Sequence, residues 1–141
     1  MLYEGAPNMS KELSRNEWSV LLLHDDFLEL RWLPSTAGLD AASFMATLSW
    51  FAGETERARP RAVLSDVLAL HFTPDAALLS WREAEIIPRY AAAGVERFAF
   101  LVPPDDPRAH QQLFEGAAPY PTRWFVDRGA ALGWLRTPRT S

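Results

Sequence analysis

The sequence predicts an α/β fold: a mixed, mostly parallel sheet of about five strands, opened by an N-terminal hairpin and flanked by helices. Three observations carry that prediction. Short apolar runs of strand length alternate with helical patterns once the hairpin is passed. Aspartates stand where helix caps belong, at Asp40 and Asp127. The chain of 141 residues is 48% hydrophobic and 12% aromatic, enough to bury one core of ordinary domain size without disulfides or metal.

Residues 1–16 are polar and contain Gly5 and Pro7, so they read as a flexible lead-in. A single domain is expected over 17–136, with a tail at 137–141. Trp18–Leu23 and Phe27–Leu33 read as two strands around the turn-forming His24-Asp25-Asp26, and Pro34 ends the hairpin. Asp40 then caps a helix whose inner face holds Ala41, Phe44, Met45, Leu48, Phe51 and Ala52. Leu39 and Phe44 fall at staple positions, and Gly53 supplies a stop. Arg57, Arg59 and Arg61 alternate with Glu54 and Glu56 and read as a solvated linker. Arg61–Asp66 is apolar enough for a central strand covered on both faces.

Thr73-Pro74-Asp75 opens a long helix with a cap, an early proline and an acid near the positive end of the dipole. It runs to Ala93, stops at Gly94, and carries Pro88 inside, which predicts a kink. "VERFAFLVPP" gives a fourth strand, Asp106-Pro107 opens a short helix to about Glu115, and "TRWFV" gives a fifth strand. Asp127 caps a last helix, "RGAALGWL".

A net charge of −4 and a pI near 5.3 argue against nucleic-acid binding, which needs a basic face. No cysteine is present, which excludes disulfides, thiol nucleophiles and cysteine-ligated metal. The N-terminus has no apolar run of signal length, and the longest dense apolar stretch, Val20–Leu23, is far too short for a membrane helix. A cytoplasmic protein with no integral membrane segment is expected.

No catalytic constellation stands out. Ser65, Asp66 and His71 are close in sequence, but no G-x-S-x-G elbow surrounds Ser65, and a strand sends Ser65 and Asp66 to opposite faces. His24, His71 and His110 lie in separate segments without metal-ligand spacing, so no metal or cofactor is expected. Asp66 reads as the end of its strand, bonding loop backbone at the carboxyl edge of the sheet, where ligands of open α/β sheets sit. His71 reads as a loop histidine and His24 as part of a turn. Glu83 falls in the middle of the stripe formed by Ala76, Leu79, Ile86, Ile87 and Tyr90. It either lines a cavity or is turned to an edge by the kink and paired with an arginine. Asp66, His71 and Glu83 are therefore the candidate ligand residues. Trp50 and Trp81 point away from the inner faces of their helices and make a candidate interface, with a homodimer as the first partner.

Three stretches carry a resemblance: "RAVLSDV", "WREAEIIPRYAAAGVERFAFLVP" and "TRWFVDRGAALGWL". They resemble the SpoIIAA-like proteins of the STAS superfamily over roughly residues 18–136. The resemblance implies a STAS/CRAL-TRIO-like fold and a regulatory or binding role without catalysis. In phosphorylated members a serine closely follows the aspartate that ends the third strand. This chain departs from that pattern: no hydroxyl appears between Asp66 and Thr73, and Thr73 reads as a helix cap. The expected function is a non-enzymatic module acting through protein–protein contact. The alternative is a carrier or sensor of a small apolar or acyl ligand held between sheet and helices.

Overall fold

A computed structural model describes residues 10–137. Its centre is one mixed sheet of seven strands in the order β1-β2-β3-β4-β5-β7-β6. The strands are β1 (Lys11–Arg15), β2 (Ser19–Leu23), β3 (Leu28–Trp32), β4 (Ala62–Asp66), β5 (Arg97–Leu101), β6 (Gln112–Leu113) and β7 (Thr122–Phe125). The helices are α1 (Ala41–Ala58), α2 (Ala76–Trp81), α3 (Ile87–Ala92) and α4 (Arg128–Leu135). A 3-10 turn at Pro34–Gly38 joins β3 to α1.

The pairs β3–β4, β4–β5 and β5–β7 are parallel; β1–β2, β2–β3 and β6–β7 are antiparallel. The sheet is thus evenly mixed rather than mostly parallel. The two additional strands explain the difference, because each adds an antiparallel pair at an edge. β1 occupies part of the expected lead-in, bonded to β2 through a bulge between Glu12 and Ser14. Residues 1–9 of that lead-in, and 138–141 of the expected tail, lie outside the described residues.

Period-two alternation divides the central strands between two cores. Leu28, Leu30, Val63 and Phe98 join α1, α2 and α3 in one cluster. Ala62, Leu64, Ala99, Leu101 and Phe125 join α4 in the other. Asp40 Oδ1 caps α1 through Ser43 N–H, and Asp127 Oδ2 caps α4 through Ala130 N–H. α1 runs past Gly53 and ends at Arg59, which has a left-handed φ of 51°. The cap of α2 is Asp75, whose Oδ1 accepts from Leu78 N–H, rather than Thr73. Replacing Asp127 with alanine should lower stability by about 1 kcal/mol. Urea unfolding checks this: the midpoint should fall while the slope stays constant.

The proline-bearing helix carries the largest local departure from the sequence reading. Pro88 has no N–H, and its ring crowds the preceding turn. The chain answers with a π-helical turn at Arg82–Ile86, in which Ile87 N–H reaches the Arg82 carbonyl five residues back. That turn takes up one extra residue. Ile86, Ile87 and Tyr90 stay inward, but upstream of the turn the inward positions become Arg82 and Leu78 instead of Glu83 and Leu79. Among the described residues no helix is long and apolar enough to cross a membrane.

Candidate functional site

On the face covered by α1–α3, the sheet and helices leave a cavity of about 410 Å³. Leu30, Phe44, Leu48, Phe51 and Phe98 are among the apolar side chains that line it. The chain after β4 forms one side of its mouth, because Leu68, Leu70, His71, Phe72, Thr73 and Pro74 all face it. Thr36 Oγ1 holds that loop down, accepting from His71 N–H at 2.8 Å and lying 3.1 Å from the Ala69 carbonyl. The "LALHF" loop therefore narrows the carboxyl edge of the sheet without closing the cavity.

One corner of the cavity is charged. Arg82 is only 7% exposed, and its Nη1 and Nη2 donate to Glu115 Oε2 and Oε1 at 2.8 and 3.2 Å. The guanidinium lies 5.6 Å from the Phe98 ring centre and 5.4 Å from that of Phe100. Burial alone would pull the Arg82 pKa down, but the charge and hydrogen bonds of Glu115, with Tyr90 and Tyr120, together outweigh it and keep the group cationic. Thr122 Oγ1 also reaches Glu115 Oε1, at 3.3 Å. Behind this corner, burial pushes the Tyr90 and Tyr120 phenols well above their ordinary range. Tyr120 Oη and Trp124 Nε1 are buried without a hydrogen-bond partner among the described residues.

A second polar cluster lies on the α4 face. Glu29, in β3, is fully buried. Arg128, the first residue of α4, grips it with Nη2 at 2.6 Å and Nη1 at 3.1 Å. His24 Nε2 stands 2.8 Å away, and Arg31 Nε donates at 3.2 Å. Burial pushes the Glu29 pKa up, but the bonds and charges of Arg128, His24 and Arg31 outweigh it and hold the carboxyl below its ordinary value. His24 is thus more than turn chemistry: it also stacks on Phe27 at 4.2 Å between ring centres.

Asp66 belongs to this second cluster. Its Oδ2 lies 3.8 Å from both Arg31 and Arg128, and its Oδ1 accepts from Leu68 N–H at 3.0 Å. Ser65 and His71 line the cavity while Asp66 faces the other side, so a Ser-His-Asp triad is not assembled. Glu83 is exposed and lies against Gly116, outside the cavity lining. Trp50 and Trp81 are half-buried and pack against the core beneath α1–α3. Among the described residues the exposed large apolar side chains are Leu13, Leu68, Leu79, Leu113 and Phe114.

The expected helix from Asp106 to Glu115 is replaced by turns and β6. Asp106 Oδ1 accepts from Arg108 N–H, closing a turn only, and His110 has a left-handed φ of 70°. Trp124 N–H then bonds the Gln111 carbonyl, which extends the sheet. This change delivers Glu115 to Arg82. Neither residue stands out in the sequence, because uniform helical counting aims Glu83 inward and a helix over 106–115 places Glu115 at its end. The usable signal is Pro88, which marks where the count must shift by one. Comparison with known proteins found no matching family model, curated protein or solved structure.

Proposed function

We propose that this protein is a non-enzymatic binding module that carries or senses a small apolar ligand in the cavity under α1–α3. The observation that carries the reading is the cavity itself. Its volume of about 410 Å³ falls in the range of small-molecule sites, and its wall joins apolar and aromatic side chains to one charged corner. The resemblance to SpoIIAA-like proteins stays part of the proposal, with a cytoplasmic setting. Its support is the proline-bearing helix leading through Gly94 into β5, and the Asp127-capped α4 after an aromatic strand.

A second reading, a regulatory module working through protein–protein contact, draws on a different observation. Leu68 and Leu79 are exposed at the cavity mouth, and Phe114 is exposed beside Glu115. On that reading the mouth is the contact surface for a partner or a second copy, in place of Trp50 and Trp81.

Native mass spectrometry of the purified protein, set beside the same sample denatured, separates the readings. A retained ligand appears as a mass excess lost on denaturation. Titration with 1-decanol as a neutral apolar probe follows. Wild type should take up one molecule, and Ser65→Leu, which projects a larger side chain into the cavity, should lose at least 90% of that uptake while keeping its circular dichroism. Absence of both retained mass and decanol uptake would overturn the carrier reading.

A further inference from the structure

The charged corner is an expensive feature that the fold does not require. A buried ion pair is often no more stabilising than apolar side chains of the same volume. Arg82 nevertheless sits among Phe98, Phe100, Tyr90 and Tyr120, a desolvated cation in the wall of an apolar cavity. The other arginine of that wall, Arg108, is half-exposed and bound by Asp106 two residues away.

The carboxylate facing Arg82 comes from neither a helix nor a central strand. Glu115 sits on the connection between the two-residue β6 and β7. Its neighbours Phe114, Gly116 and Ala117 are exposed, and Gly116 has a left-handed φ of 53°. The Glu115 side chain ties this connection inward through Arg82 and Thr122. Tyr120 Oη and Trp124 Nε1 are also buried without a hydrogen-bond partner among the described residues. An arginine fork is shaped for a carboxylate and holds it through two parallel bonds. The chain has placed its own carboxylate on a connection at the edge of the sheet, held there by its side chain.

We propose that the ligand is an apolar monocarboxylic acid whose carboxylate replaces Glu115 on Arg82, with its hydrocarbon chain lying along Phe44, Leu48, Phe51 and Phe98. This rests on the reading of the cavity as a ligand site. The exchange swaps one carboxylate for another, so Arg82 never stands unpaired in the interior. The displaced Glu115 moves into water with the β6–β7 connection, and ligand occupancy thereby changes the surface around Phe114.

The test compares decanoate with 1-decanol at pH 8, by calorimetric titration and native mass spectrometry. Wild type should bind decanoate at least about tenfold more tightly than decanol, as expected for a charge-assisted bond. Arg82→Gln should lose that preference and still bind decanol. Glu115→Gln, which keeps the shape but removes the competing charge, should bind decanoate about tenfold more tightly than wild type. Should Arg82→Gln not fold, Arg82→Lys, which keeps the charge without the fork, should show a reduced preference. Equal binding of acid and alcohol by wild type overturns the inference and leaves the cavity reading standing. Weaker decanoate binding by Glu115→Gln also overturns it, since Glu115 would then be part of the site and not its rival. Binding of neither probe defeats both readings.

Discussion

Replacing Glu29 with leucine should cost about 3 kcal/mol of folding stability, a large share of what a domain of this size possesses. Glu29 is fully buried, and Arg128, Arg31 and His24 all converge on it. Removing it leaves two cations facing an apolar side chain. The cost stays at the lower end of the range for broken buried pairs because the arginines can turn to water. The Arg31 and Arg128 side chains are already 42% and 37% exposed. Urea unfolding measures the loss; a change under 1 kcal/mol would show that the cluster is not coupled to folding.

The same carboxylate sets an acid limb. Its folded pKa lies below the ordinary glutamate value, so the folded state favours the ionised form. The resulting stability is fully present above the unfolded-chain pKa and drains away as pH falls through the lower folded value. Glu29→Gln should therefore be less stable than wild type near neutral pH and should lose less on acidification. Parallel pH profiles for the two proteins would contradict this assignment.

Much of this fold is legible in the residues. Where a segment buries a face, its periodicity shows it: β4 is apolar on both sides because both sides are covered, and α1 shows its stripe from Phe44 to Ala52. Caps mark starts, as Asp40 and Asp127 do. Edge elements leave no such mark. Lys11–Arg15 is mostly exposed, and main-chain bonds to β2 hold it, so its side chains report nothing. β6 is too short to have a period.

The candidate site was less legible, for two separate reasons. The π-helical turn before Pro88 shifts the inward register by one residue, exchanging Glu83 for Arg82. The partner Glu115 arrives from 33 residues away, and no local pattern encodes that contact. Asp66 was legible only in part. Its Asx-type bond to Leu68 is local, while its place beside Arg31 and Arg128 depends on the register of β3 against β4 and on the docking of α4.

Replacing Glu115 with alanine should cost more than losing Glu29, about 4–5 kcal/mol, although Glu115 lies nearer the surface. The difference lies in what remains behind. The Arg82 side chain is 9% exposed and is held against Phe98 and Phe100, so its charge faces water only across the cavity. An uncompensated buried cation is the worst outcome among single substitutions here. The double variant Arg82→Met with Glu115→Leu should behave in the opposite way. With both charges gone and the volume largely kept, its stability should match or exceed wild type by about 1–3 kcal/mol. Urea unfolding of wild type, Arg82→Met, Glu115→Leu and the double variant closes a double-variant cycle, and the coupling energy should exceed about 3 kcal/mol. A small coupling would mean that Arg82 finds water through the cavity mouth when Glu115 leaves. A stable double variant that binds decanol but no longer prefers decanoate would show that this pair persists for recognition at the expense of stability, a trade known from many sites.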